Sequence, residues 1–496
     1  MVVNTMKSAV AAALLGMIST AGAQTTLTMQ EAVSRAVLKN PEVLARYHTF
    51  GASKYERDAS WGGYLPTLDL AGGVGRTHLD DPLSTTASRY SPNNVSVILR
   101  QMLFDGFATR SDVKRLDHAK RVRYYELLDT SETAAFEAIR AYQDVLRFQK
   151  LVEFAADNYA QHRLVGDQIG ERAQKGVSRG VDLDTATGRL ALAESNLVTE
   201  TSNLYDVSAR FQRIVGDRPG TLMPSDVRAL AAGLPPTPIG GLQKAFENSP
   251  QLLASMEAIQ AAQADVEVRR STYFPRVEAR LQHDTGREVG GILGRTSGTT
   301  AEVAFRFNLF NGKRDENRIN QYSELVNLAK DVRDRTCREV RQNVLVALND
   351  VARLREQLPL LDQHQLATDK ARQAFRNQFD LGQRTLLDLL DTENEYFQSR
   401  RAYIIAEHDL ATAYARVHAS TGGLLAVLGI APIEPTAPPE VEAKGEDIMA
   451  RCPAEGPDPV VVDKKQAVDS AARLRPRSPT PAPAPAPAGK PKPAPR

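Results

Sequence analysis

Two regions of this chain alternate apolar and polar residues one by one, and two much longer regions repeat apolar residues at helical spacing. Between Pro275 and Phe310, Val277, Ala279 and Leu281 alternate with Arg276, Glu278, Arg280 and Gln282. Further on, Val303, Phe305, Phe307 and Leu309 alternate with Glu302, Ala304, Arg306 and Asn308. A period of two puts each set on its own face of a sheet. A weaker copy runs through Leu68 and Leu70, then Val95, Val97, Leu99 and Leu103, with Gln101 interrupting it and Gly72, Gly73 and Gly75 loosening it. Polar stretches rich in Gly, Ser and Pro, near Asp80–Asn94 and Thr285–Thr300, predict a long tip loop for each hairpin. From Ala108 to about Lys175 the spacing of Leu127, Ala134, Ala138, Ala141, Val145 and Phe148 predicts one helix, and Lys313 to about Phe379 reads the same way with a single Pro359. Either would stretch roughly 100 Å at 1.5 Å per residue, with Ala-rich stripes suited to coiled-coil packing. Each ends in a Gly turn and returns, over Leu183–Val215 and Leu389–Thr421, and a further helix is expected over Gln30–Leu44.

The two regions are copies of one another. Pro41 and Pro66 recur as Pro250 and Pro275 at an offset of 209, while Phe104-Asp105-Gly106 recurs as Phe310-Asn311-Gly312 at an offset of 206. Gly176-x-x-x-x-Val181-Asp182-Leu183 and Gly382-x-x-x-x-Leu387-Asp388-Leu389 keep the offset of 206, as do Ala209-Arg210 and Ala415-Arg416. One short length change inside a hairpin accounts for both offsets. Copies of about 200 residues are too long for a solenoid unit; they predict a duplicated body.

The N-terminus has the three parts of a secretory signal: Lys7, an apolar run over Ala9–Ile18, and the small-residue site Ala21-Gly22-Ala23. The expected mature chain starts at Gln24 and is exported. No later stretch reaches 18 consecutive apolar residues, which excludes a spanning helix. A closed β-barrel stays open as a way through a membrane, because its strands alternate. Four strands cannot close one, since small membrane barrels need about eight, so such a chain must oligomerise. A soluble sandwich with the apolar face inside is the competing use of the same alternation.

Other chemistry is sparse. A net charge of +2 offers no polybasic surface for nucleic acid. Cys337 and Cys452 are too few for a disulfide framework, and no functional bridge between them is expected. The eight histidines form no ligand-spaced cluster, and His408 and His418 are expected on the surface. No G-x-x-x-x-G-K-[ST] or G-x-S-x-G sequence occurs, so neither nucleotide hydrolysis nor a serine nucleophile is indicated and no enzyme, cofactor or resident metal is expected. From Ala431 the chain turns to Pro, Ala and Glu and ends in an Ala-Pro run with Lys490, Lys492 and Arg496, a composition that favours extended conformations over a packed one.

Taken in order and twice over, Asn40-Pro41, the Tyr-x-Pro steps at Tyr64 and Tyr273, Leu-Phe-[Asp/Asn]-Gly at each hairpin exit and the two Gly-turn motifs resemble the TolC-like outer-membrane channel proteins over about Leu27–Leu428. The resemblance implies an α+β membrane protein: duplicated coiled-coil helical hairpins plus two β-hairpins. Three chains would form a homotrimer with a 12-strand barrel in outer-membrane lipid and a periplasmic helical tunnel. The corresponding domains are a signal peptide at 1–23, a first repeat at 24–236 with its β-hairpin near 66–104, a second at 237–430 with its β-hairpin near 275–310, and a disordered periplasmic tail at 431–496. The resemblance also places Asp388 and Asp391 at the periplasmic constriction. There three-fold symmetry would gather six carboxylates, which raise one another's pKa and can hold a blocking cation. It makes Arg384, Asp182 and Phe379 part of the gate, with Gly176 and Gly382 at the hairpin turns. Phe379 stands where relatives often carry Tyr, and Val181 has no hydroxyl, so fewer polar gate links are expected.

Three functions stay open. The first is a passive exit duct for type I protein secretion, docked to an inner-membrane ABC transporter through a membrane-fusion adaptor and exporting a large repeat-type toxin, adhesin or protease. The second is the outer-membrane part of a drug or metabolite efflux pump. The third is a soluble periplasmic coiled-coil scaffold.

Overall fold

The structure is a computed structural model that describes residues 26–80, 88–177, 179–225, 227–292, 294–434, 452, 455–457 and 462–474. The expected signal segment and most of 431–496 lie outside the described residues. Helices α1 (Met29–Lys39) and α2 (Pro41–Trp61) lead into strand β1 (Thr67–Val74), a small ribbon of β2 (Thr77–Leu79) and β3 (Ser88–Tyr90), and strand β4 (Asn93–Phe104). The long helix α3 (Ala108–Gln174) follows and returns as α4 (Gly180–Val215). After the short α5 (Arg228–Ala231), the second copy runs α6 (Pro238–Asn248), α7 (Pro250–Arg270), β5 (Arg276–Arg287), β6 (Arg295–Arg306), α8 (Arg314–Asp380), α9 (Leu386–Ser420) and α10 (Leu424–Leu428). The copies nearly match in helix length: α2 and α7 have 21 residues each, α3 and α8 have 67 each, and α4 and α9 have 36 and 35.

Local chemistry sets the element ends. The helix expected over Gln30–Leu44 is two helices, because Pro41 has no N–H and biases Asn40 to an extended ψ of 128°. Asn40 then caps α2, its side-chain oxygen accepting the Glu42 N–H at 2.9 Å, a type of bond that contributes about 1 kcal/mol. Each sheet-to-helix corner uses two successive left-handed residues, Gly106 and Phe107 in one copy and Gly312 and Lys313 in the other. At Gly106 a side chain is barred twice over: φ is +71°, and a Cβ would sit 2.5 Å from the Ser271 carbonyl oxygen. Pro359 is carried inside α8.

The four long strands form one antiparallel sheet in the order β1-β4-β5-β6, so the β4–β5 pair joins the two copies. The expected loop at Thr285–Thr300 is shorter than read from composition. Thr285 pairs with Ser297 and Arg287 with Arg295, so the ladder runs on into the polar stretch, where β-branched Thr favours a strand. The strand expected to reach Leu309 stops at Arg306.

The main core lies midway along the long helices, where Ala135, Ile139 and Tyr142 of α3 meet Phe211 of α4, Ala347 and Val351 of α8, Ala415 of α9, and Ala32 and Val33 of α1. Alanines on α1, α3, α8 and α9 let those axes approach closely. His418 belongs to this buried layer, contrary to the surface position expected for it. Its Nε2–H donates to the Leu230 carbonyl at 2.8 Å, which satisfies that nitrogen inside the core while Nδ1 has no partner among the described residues, and burial pushes the pKa down. His408 is half-buried, with Nδ1 2.8 Å from Gln143 Oε1.

Two features of the C-terminal region differ from expectation. Cys452 and Cys337 form a disulfide with their Cα atoms 6.1 Å apart, and Cys452 is buried beside Leu242, Phe246 and Val340. Counting cysteines says nothing about proximity, and the tail folds back far enough to reach α8. Beyond residue 454 the chain is a separate unit, and its described part contains helix α11 (Lys464–Leu474) rather than extended chain throughout. That stretch has no Pro or Gly, and Asp463 accepts the N–H of Lys465 at 2.8 Å and of Gln466 at 3.2 Å.

Candidate functional site

The sheet has one bare apolar face and one charged face. Leu99 lies opposite Leu281, Val277 opposite Phe305, and Ala279 opposite Val303, so their side chains share a face. These apolar side chains are left open, with Leu70 75% and Phe305 68% exposed. On the other face Arg100 bonds Asp69 at 2.6 Å and reaches Glu278 at 3.9 Å, while Arg280 reaches Glu302 at 3.5 Å. A soluble sandwich would cover the first set. Here they stay open, and ion pairs line the side that a barrel would turn inward. Gln101 interrupts the apolar face at a bulge, where its amide donates to the carbonyls of Tyr64 and Met102.

The second functional region is the pair of helical tips. Gly176 (φ +71°) and Gly382 (φ +73°) end α3 and α8 in the same way. The Val177 N–H reaches back to the Arg172 carbonyl, and the Gln383 N–H to that of Gln378. The repeated Asp of each motif then caps the returning helix. Asp182 accepts the Arg179 N–H at 3.3 Å, and Asp388 accepts the Thr385 N–H at 3.2 Å and its hydroxyl at 2.8 Å. Within this chain the Thr385 hydroxyl, then its N–H, holds the Asp388 carboxyl below the usual range. Asp388 and Asp391 do not share a partner: Asp391 pairs with Arg189 on α4. Arg384 stays within its own hairpin, donating to Gln378 at 3.0 Å, lying 4.3 Å from the Phe375 ring and 4.0 Å from Asp388. Phe379 is buried among Val165, Ile169, Ala186, Leu386, Leu389 and Leu390, with Arg172 over its ring at 5.4 Å.

A belt of arginines above the tips was not singled out from sequence. Besides Arg189–Asp391, Arg376 donates to Gln161 at 2.6 Å, Arg400 to Asp157 at 3.3 Å, Arg147 to Asp409 at 3.0 Å, and Arg401 to Glu200. Each joins a helix of one copy to a helix of the other. Glu393 is 4% exposed at the side chain and sits between Arg372 and Arg376. Burial raises its pKa and the two guanidinium groups pull it back. Such partners lie hundreds of residues apart and follow no period, so only the packed helices disclose them. Among the described residues no group of His, Cys, Asp and Glu could hold a metal ion, and no helix is long and apolar enough to cross a membrane.

Both copies of the duplicated body match the outer membrane efflux protein family model, over residues 32–217 and 241–423. The chain belongs to that family. Its members are channels of the Gram-negative outer membrane with a periplasmic helical tunnel, and they are not enzymes. The outer membrane efflux protein BepC of Brucella suis is 25% identical over 353 residues, 69% of this chain and 75% of its own. The cobalt-zinc-cadmium resistance protein CzcC of Cupriavidus metallidurans is 23% identical over 385 residues, 76% of this chain and 86% of its own. Among solved structures, the Campylobacter jejuni CmeC outer membrane channel superposes with a TM-score of 0.70 at 12% identity, covering 80% of this chain and 86% of that one. At that identity the likeness is one of fold: the TolC-like channel architecture of paired coiled-coil hairpins and β-hairpins.

Proposed function

We propose that this family member is a passive exit duct across the outer membrane, assembled from three chains, that completes a type I protein secretion system. The observation that carries the reading is the two-faced sheet: Leu99, Leu281 and Phe305 on a bare side, Arg100, Arg280 and Glu302 paired on the other. Edge strands β1 and β6 each have one partner in the four-stranded sheet, so each offers a free ladder to a neighbouring chain. Three sheets of four strands would supply twelve, enough to close a membrane barrel. The sequence has no nucleotide-binding loop, so the driving energy would come from an inner-membrane ABC transporter joined through a periplasmic adaptor.

In this reading the tips close the duct. Three copies of Asp388 and Asp391 would surround the axis as a cation-attracting constriction, and Arg384, Asp182, Phe379 and the arginine belt would hold the hairpins together. The capping bonds of Asp388 and the Arg189 partner of Asp391 support a ring of rigidly held carboxylates. The cargo would be a large repeat-type toxin, adhesin or protease.

Small-molecule efflux is the second reading, favoured by the likeness to BepC and CzcC, whose names refer to efflux and to metal resistance. A clean deletion separates the two. Loss of one large protein from the medium with unchanged susceptibility to dyes, antibiotics and metals supports secretion. Unchanged secreted proteins with increased susceptibility support efflux.

A further inference from the structure

Directly below the sheet, on the side of its apolar face, α3, α7 and α8 enclose an open cavity of about 810 Å³. Its position follows from the strand register. Phe104 lies opposite Val277, and Val277 opposite Phe305, so Phe104 belongs to the bare apolar face. Phe107 packs edge-on against Phe104 at 5.3 Å and against Phe274 at 6.1 Å, and Phe107 also lines the cavity. The lipid-compatible surface therefore runs without a break from the strands, through an aromatic collar, to the cavity mouth.

The cavity itself is cationic. Arg110 and Lys114, one turn apart on α3, both line it, and neither forms an ion pair or side-chain hydrogen bond among the described residues. Arg270 lines it from α7 and pairs with Glu267 at 2.7 Å, so the lining holds three cations against one carboxylate. Asn327 of α8 adds an amide. All three helices come from one chain, so the cavity is complete before any assembly.

We infer that this cavity binds the phosphate headgroup of an anionic phospholipid in the periplasmic leaflet of the outer membrane, with the acyl chains lying over Phe107, Phe104 and the strands. Two unpaired cations at the foot of an apolar wall match a ligand whose charge sits at the end of its hydrocarbon. A free anion would gain nothing from the collar, and a lipid without phosphate nothing from Arg110 and Lys114. The phosphate would also neutralise charge that otherwise lies beside a low-dielectric layer. Basic residues beside membrane-embedded surfaces bind anionic headgroups in this way, each contributing a several-fold gain in affinity. The inference rests on outer-membrane placement of the sheet and is independent of cargo and partners.

The test uses the purified full chain in dodecyl maltoside, titrated with dioctanoyl phosphatidylglycerol, with dioctanoyl glycerol lacking the phosphate, and with inorganic phosphate. The phospholipid is expected to bind well above both others. The Arg110→Gln/Lys114→Gln variant should weaken it roughly 25-fold, the combined effect of two such cations. Equal binding of dioctanoyl glycerol would leave only the apolar collar and overturn the proposal. Equal binding of inorganic phosphate would make it a free-anion site and also overturn it, as would undiminished phospholipid binding by a variant that melts like the parent. The comparison of the three probes on the parent protein decides the matter even if the variant fails to fold. Failure of the barrel reading would show separately, as absence of conductance in a bilayer.

Discussion

Arg189 on α4 is ion-paired with Asp391 on α9, so the returning helix of one copy is tied to the returning helix of the other two turns from the tips. The pair is partly exposed, and such pairs contribute under about 1 kcal/mol to stability. Arg189→Gln should leave the melting temperature nearly unchanged while raising single-channel conductance, because it frees the hairpins at the proposed constriction. Unchanged conductance would remove this pair from the gate.

Arg384 gives a parallel case with a different geometry. Its contacts with Gln378, Phe375 and Asp388 lie inside one hairpin. Arg384→Ser is expected to raise conductance through loss of tip rigidity and of the links proposed to neighbouring chains. An unaltered conductance would confine Arg384 to a local packing role.

The two faces of the sheet make opposite demands at adjacent positions. Leu281 is on the apolar face and Gln282 on the charged one, where it bonds Asp284 at 2.8 Å. Leu281→Arg should cost about 2–4 kcal/mol in a lipid bilayer and reduce the amount assembled in the outer membrane. Gln282→Arg should assemble normally. Equal yields of the two would contradict the assignment of faces.

The Cys337–Cys452 bond closes a separation of 115 residues, for which loop-closure entropy gives a stabilisation of about 4–5 kcal/mol. The Cys337→Ser/Cys452→Ser protein should melt at lower temperature, and reducing agent should lower the melting point of the parent alone. Thiol labelling of the unreduced, denatured parent at two sites would show that the bridge does not form.

Glu132 accepts the N–H groups of Leu424 and Leu425 at 3.0 and 3.4 Å, and burial pushes its pKa up to about 7. A carboxyl raised in the folded state stabilises fully below its unfolded pKa near 4.5 and loses that contribution as pH rises through about 7. Asp129 nearby is shifted the same way by burial. The melting temperature should therefore fall between pH 5 and pH 8, and Glu132→Gln should flatten that fall. An identical slope in the variant would exclude Glu132 as the source.

Much of the architecture was legible because it is periodic. The alternation at Val277–Leu281 and the helical stripe through Leu127, Ala134 and Ala138 each report a local geometry, and the duplication repeats the message. The long-helix ends were readable to within a residue from Gly176 and Gly382, since a left-handed turn there needs glycine. What escaped the sequence depends on tertiary proximity. The arginine belt joins residues such as Arg376 and Gln161, 215 positions apart. Cys452 meets Cys337 only because the tail folds back, and His418 is buried because α5 supplies the Leu230 carbonyl. Asp182 and Asp388 were read for their charge. Their capping role follows from their place three residues into each returning helix, a signal present in Thr385-x-x-Asp388 and passed over.

Single-channel recording on the purified full chain in a planar lipid bilayer decides whether this protein forms a conducting barrel. Detergent-dependent solubility and discrete, cation-selective conductance steps are expected, with Asp388→Asn/Asp391→Asn reducing that selectivity. A protein that stays soluble without detergent and adds no conductance to the bilayer would contradict the barrel reading.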